Sequence, residues 1–132
     1  MIAWMWAGGA LASAPVDEVL GDLEVGLGLR STEIEGLAPE LERFVQGGGR
    51  LGHARNLVAV GVGRDCRGDC LITLARGLAD GLVVGLDDGR AADVAIAALD
   101  GLTGDARRPV SGAALSIALS IDLRRAVACA PR

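Results

Sequence analysis

The hydrophobic positions of this chain change period along its length, and the changes mark out its elements. Val16, Val19, Leu20 and Leu23 recur at helical spacing, with Asp17 and Glu18 in the first turn, where the positive helix end favours acids. This predicts a helix closing near Gly26, although the alternation of Leu23, Val25, Leu27 and Leu29 lets a short strand compete for the same residues. Thr32 and Glu35 have capping-box spacing, Pro39 suits a first helical turn, and Leu41, Phe44 and Val45 supply an apolar face. Gly47, Gly48 and Gly49 end that second helix.

Beyond a linker or turn over residues 50–55 the pattern becomes strand-like. Residues 57–62, with Leu57, Val58, Val60 and Val62, read as a buried strand. Leu71, Leu74 and Leu78 then share a helical face, which Gly77 weakens by roughly 1 kcal/mol relative to alanine. Residues 82–86 read as another short strand, ending in Asp87, Asp88 and Gly89, and residues 91–99 as a helix with Val94, Ala95, Ala98 and Leu99 inward. A loop over residues 101–112 leads to the clearest period of two in the chain. Leu115, Ile117, Leu119 and Ile121 alternate with Ser116, Ala118 and Ser120, predicting a strand that ends at Asp122, with a terminal helix over residues 123–130. The expected fold class is therefore α/β: one domain over residues 1–132, mainly helical over 1–55 and β-α-β-α-β over 56–132, with a small, mainly parallel sheet and flanking helices. No internal repeat stands out.

Composition sharpens this picture in three ways. The chain has 132 residues, 51% of them hydrophobic, which is enough for one domain with a real core. Its only aromatics are Trp4, Trp6 and Phe44, so that core is built from Leu, Val, Ile and Ala around 20 glycines. All 13 basic residues are arginine, as a GC-rich coding sequence would favour, and the net charge is −4 with the arginines scattered. Nucleic acid, which needs a concentrated basic face, is not an expected partner. Residues 1–16 are uncharged and end near Ala12, Ser13 and Ala14, which resembles a signal-peptidase site. They lack a basic start, and Pro15 follows the would-be cleavage point. The segment is too short and too broken by glycine to span a bilayer. The expectation is a cytoplasmic protein with no integral membrane span, reduced cysteines, and Trp4 and Trp6 buried or at an interface.

The candidate chemistry gathers at the ends of the predicted strands, where open α/β sheets bind their ligands. Gly61, Gly63 and Gly68 form a loose phosphate-cradle candidate that has neither dinucleotide spacing nor a Walker lysine. Cys66 and Cys70 flank Arg67, Gly68 and Asp69. They are open to three uses: a closed loop presenting that tripeptide, metal thiolates, or a nucleophile activated by a helix N-terminus. Ordinary small residues near a helix start explain them as well. The lone His53 cannot anchor a multi-histidine site. Asp69, Asp87, Asp88 and Asp122 each follow a predicted strand, so a parallel sheet would bring them to one cleft, where carboxylates suit a divalent cation; helix capping explains the same aspartates.

Over residues 57–122 the chain resembles the hydrogenase-maturation peptidases, which trim the C-terminus of nickel-containing hydrogenase large subunits. The segment VAVGVGRDCRGDC lies over that family's strand, Gly-x-Gly turn and acidic pair, with Asp69 at the first acidic position. The segment LVVGLDDGRAAD matches its Asp-Gly turn, and Asp122 after LSIALSI matches a metal-binding aspartate at the end of a later strand. The resemblance implies a metal held by Asp69 and Asp122, oriented by Asp87 or Asp88, with Cys70 as a substitute ligand. Arg64 stands where the family usually has Asn, Cys70 replaces the second acidic residue, no histidine follows His53, and residues 1–55 have no counterpart. The implied function is a divergent or inactive metal-dependent maturation peptidase with a divalent metal as cofactor. The alternative is a non-enzymatic interaction module or subunit, with a protein partner or a second copy packed on its apolar N-terminus.

Overall fold

The computed structural model describes residues 13–103 and 110–129. Among these stand six α-helices and no strand: α1 (Ala14–Leu27), α2 (Ser31–Gln46), α3 (Leu51–Gly63), α4 (Asp69–Val83), α5 (Asp88–Leu102) and α6 (Gly112–Ala128). The α/β expectation with its mainly parallel sheet is therefore corrected to an all-helical array. The expected partner surface at the apolar N-terminus with Trp4 and Trp6, residues 104–109 of the expected loop and the final residue of the expected terminal helix lie outside the described residues.

Each expected strand turns into helix for a definable reason. The run 57–62 is valine-rich, but the helical stripe starts earlier: Ala54, Leu57, Val58 and Gly61 are the buried positions of α3, so residues 50–55 open a helix instead of ending a loop. Residues 82–86 are split, with Leu82 and Val83 finishing α4 and Leu86 folding back into the core after the turn at Gly85. In α6 the alternation misleads most. Leu115, Leu119 and Leu123 are buried at i, i+4 and i+8, whereas Ile117 is 64% exposed, so half of the supposed inward strand face points to water.

Among the described residues each helix packs against the next and the next but one, and no further. This makes a double row, α1, α3 and α5 in one and α2, α4 and α6 in the other, bridged by the α1–α2, α3–α4 and α5–α6 hairpins. Helix α4 sits in the middle, touching α2, α3, α5 and α6, and it buries glycines as well as leucines. A Cβ on Gly77 would stand 2.6 Å from Leu119 Cδ1, so the missing side chain sets how closely α4 and α6 cross. Bare glycine backbone replaces aromatic bulk as the means of filling this interior.

A repeat hidden in the sequence emerges from burial. Glu33, Leu37, Glu40, Leu41 and Phe44 of α2 have buried counterparts 37 residues further on, at Cys70, Leu74, Gly77, Leu78 and Gly81 of α4. The buried Val16, Val19, Leu20 and Leu23 of α1 recur 38 residues on as Ala54, Leu57, Val58 and Gly61 of α3. The turns keep the same step. Gly48 (φ 95°) and Gly85 (φ 102°) follow α2 and α4, and Gly28 (φ 65°) and Asp65 (φ 58°) follow α1 and α3, all in the left-handed region. Behind α2, α3 and α4 the next N–H reaches the carbonyl five residues back, Gly49 to Phe44, Cys66 to Gly61 and Leu86 to Gly81, at 2.8–2.9 Å. These are Schellman caps, which end a helix and turn the chain back at a fixed angle. Only some matched positions keep their residue (Leu74 for Leu37) while others change it outright (Gly81 for Phe44), so periodic burial leaves no visible sequence repeat.

Candidate functional site

The Gly61–Cys70 segment, expected to be a loop beyond a strand, is a helix end, a tight turn and a helix start. Asp65 supplies the left-handed residue after α3, and Gly68 is the N-cap of α4. Cys66 and Cys70, both buried, are joined in a disulfide that straddles this cap. The sequence had led us to expect reduced thiols; a bond of this kind is commonest in oxidising compartments. The pairing does not free the Arg67-Gly68-Asp69 tripeptide for adhesion, because Arg67 is already engaged.

Its partner is Glu33, a residue the sequence reading passed over. Glu33 is 2% exposed and accepts four hydrogen bonds: from Arg67 Nη2 (2.7 Å) and the Arg30 N–H (3.0 Å) at Oε1, and from Arg67 Nε (2.9 Å) and the Gly68 N–H (2.8 Å) at Oε2. Arg67 Nη2 also donates to the Gly28 carbonyl (3.2 Å), so one ion pair ties the α1–α2 turn to the α3–α4 turn. The hydrogen bonds from Arg67, with those from the Arg30 and Gly68 backbone, outweigh burial and hold the Glu33 carboxyl down at about 2, from 4.5. Glu33 also stands at the third position of α2, where it caps the Arg30 N–H. The capping box expected from Thr32 and Glu35 does not form: Arg30 is the N-cap, and its donor-only side chain cannot return the bond that Glu33 accepts.

The expected ligands are dispersed. Gly61 faces the core, where a Cβ would stand 2.8 Å from Leu74 Cδ2; Gly63 is exposed at the end of α3; and the Gly68 N–H, the group a phosphate would need, is spent on Glu33. Asp69 is exposed at the start of α4, beside Gly112 of α6. Asp88 opens α5 and accepts from the Arg50 N–H and Nε, both 3.0 Å; these bonds hold its carboxyl far below the usual range. Asp87 caps α5 by accepting from the Arg90 N–H (2.9 Å). Asp122 lies half-buried in the body of α6. His53 Nε2 is 3.8 Å from Asp88 Oδ2. Among the described residues no three His, Cys, Asp or Glu side chains are grouped so as to hold a metal ion, and the Cys70 sulfur, bonded to Cys66, offers no thiolate. The metal-binding expectation is corrected accordingly. Without a sheet there is no common edge to gather Asp69, Asp88 and Asp122.

Among the described residues a concave feature lies elsewhere, along the seam of α4 and α6. The α2–α4 seam is closed by two ion pairs, Arg43 to Asp80 (2.5 Å) and Arg76 to Glu40 (3.0 Å), which a third pair within α2, Arg43 to Glu40 (3.1 Å), links to each other. No ion pair bridges α4 and α6 among the described residues. Past the close crossing at Gly77 and Leu119 that seam opens into a groove of about 620 Å³, walled by Val83, Val84, Leu123, Val127, Ser120 and Arg124. Val83 is 77% exposed there. A shallower pocket of about 280 Å³ at Asp69, Thr73 and Gly112 prolongs it toward the N-terminal ends of both helices. The signal for this groove was present in the sequence as paired small and apolar residues of α6, but it was read as strand alternation.

No family model, no curated protein and no solved structure matches the chain. Among the described residues no helix is long and apolar enough to cross a membrane.

Proposed function

We propose that this protein is a non-enzymatic helical-repeat module that holds an apolar peptide segment of a protein partner in the α4–α6 groove. The observation that carries the reading is the contrast between its seams. Arg43, Arg76, Glu40 and Asp80 lock α2 to α4, whereas the next seam of the same row leaves Val83, Val84 and Val127 exposed around a groove of about 620 Å³. That size and apolar lining suit side chains of a bound peptide, and arrays of helical hairpins present such surfaces to partners. The Glu33–Arg67 clamp and the Arg50–Asp88 pair commit their ionisable groups to holding turns and helix starts together. A maturation peptidase of the kind the resemblance implies would need a metal site, and Asp69, Cys70, Asp88 and Asp122 do not assemble one.

Photo-crosslinking in cells that make the protein tests this directly. A benzophenone amino acid placed at Ser120 on the groove wall gives discrete adducts with another protein, and the same probe at exposed Asp93 of α5 gives none. Adducts absent from both positions in a folded protein, or equal at both, refute the reading.

A further inference from the structure

We infer that the groove reads the end of its peptide: the α4–α6 seam binds a free C-terminus, with the terminal carboxylate at Thr73, Arg76 and Ser116. The apolar residues before it lie over the Gly77–Leu119 crossing toward Val83 and Val127. The inference rests on the groove reading above and names the chemical class of the partner segment.

The seam has a polar end and an apolar end. Thr73, Arg76 and Ser116 line both the large groove and the shallower pocket at the helix starts, so they stand where the two cavities meet. Thr73 is 8% exposed, and its hydroxyl has no hydrogen-bond partner among the described residues. A hydroxyl so placed costs free energy until an oxygen or N–H from outside meets it. Arg76 gives its Nε to Glu40 (3.0 Å) and keeps 52% of its side chain exposed, which leaves the outer edge of the guanidinium for a second carboxylate. The two helices also run in the same direction. A Cβ on Gly112 would meet Asp69 and Thr73, one on Gly77 would meet Leu119, and one on Gly81 would meet Leu123. Both positive helix ends therefore open on the same pocket and favour an anion there.

Asp69 selects which anion. It lines the pocket, exposed and without an ion-pair partner among the described residues, and it repels a bare anion. The last residue of a peptide carries an N–H beside its carboxylate, and Asp69 can accept from it. A fatty acid shares the carboxylate and the apolar tail but has no such donor. Beyond the junction the wall turns apolar through Leu123, Val83, Val84 and Val127, which receive the preceding side chains.

Two matched peptide arrays test this, one with free C-terminal carboxylates and one with C-terminal amides, ending in all combinations of Leu, Val, Ile, Met and Phe. The labelled full chain should bind members of the first array and hold their amide twins roughly tenfold more weakly or worse, the worth of one charge-assisted contact. Thr73→Val removes the buried hydroxyl and Arg76→Gln the charge. Each should bring a bound carboxylate peptide toward the level of its amide twin while far-ultraviolet circular dichroism stays the same. Using both variants guards against the loss of the Arg76–Glu40 pair disturbing the seam. Dodecanoate should not displace the bound peptide. Equal binding to both arrays, binding to neither, displacement by dodecanoate, or a carboxylate preference that survives both substitutions overturns the inference. In each of those cases partner adducts at Ser120 leave the proposed function standing; without adducts both fall.

Discussion

The Glu33 clamp makes the most quantitative prediction. Replacing Glu33 with Gln keeps the volume but removes the charge that meets Arg67 through two hydrogen bonds and accepts from the Arg30 and Gly68 N–H groups. The carboxyl, held at about 2 instead of 4.5, corresponds to roughly 3 kcal/mol of folding free energy at neutral pH. Arg67 keeps 38% of its side chain in water and recovers hydration when the pair is broken, so we expect a net loss of about 2 kcal/mol. The sign follows from the depressed carboxyl. Its contribution is complete above the unfolded value of 4.5 and disappears as pH falls toward about 2, because Glu33 then binds a proton in either state. Urea unfolding of both proteins across this range reads the difference directly. Wild type and E33Q should differ by about 2 kcal/mol near neutrality and converge in acid. A gap below about 0.5 kcal/mol, the size of an ordinary surface substitution, or one that does not change with pH, refutes the clamp as described.

The glycines divide into two kinds. Gly21 lies in exposed α1 with nothing near a Cβ, so G21A should stabilise by about 0.5–1 kcal/mol. A Cβ on Gly81 would stand 2.5 Å from Ala91 Cβ and 3.2 Å from its Cα, so G81A should destabilise by about 1–3 kcal/mol, and thermal melts would separate the two. Replacing Cys66 and Cys70 with alanines frees the short loop that the disulfide closes in the unfolded chain and should cost about 2 kcal/mol, read by urea unfolding. Thiol reagents should modify exposed Cys129 at once and Cys66 and Cys70 only after reduction in denaturant. Calorimetric titration with Ni²⁺ or Zn²⁺ should show the same response in wild type, Asp69→Ala and Asp122→Ala; a loss of binding in either variant would restore a metal site.

Some of this protein was legible because the cause is local. The apolar stripe of α1, the glycine stop after α2 and the face Leu71, Leu74 and Leu78 of α4 follow from spacing and from backbone chemistry that needs no partner. The strands misread in residues 57–62 and 115–121 came from short windows in which β-branched or alternating residues satisfy both periods. A strand there would need neighbouring strands to pair with, and a helix needs only itself. Once α3 is read from Leu51, and α6 as far as Leu123, the helical period wins.

The candidate site was less legible, for a different reason. Asp69, Asp88 and Asp122 looked convergent only because a sheet edge had been assumed, and without the sheet nothing brings them together. Glu33 looked like one acid among several in α2, since its partner Arg67 lies 34 residues away and meets it only when the α1–α2 and α3–α4 turns are stacked. By itself the sequence determined that this chain would be aromatic-poor and glycine-rich, with a helix stop at Gly47, Gly48 and Gly49; the turns at Gly28, Asp65 and Gly85 show themselves only in the folded backbone, the last inside a run that reads as strand. Only the tertiary structure decided that those turns recur in step, that buried glycines set the helix spacing, and that one seam is locked by ion pairs while the next stays open. Local propensity fixes a helix, but which helices meet, and across which side chains, is set by packing between residues far apart in the chain.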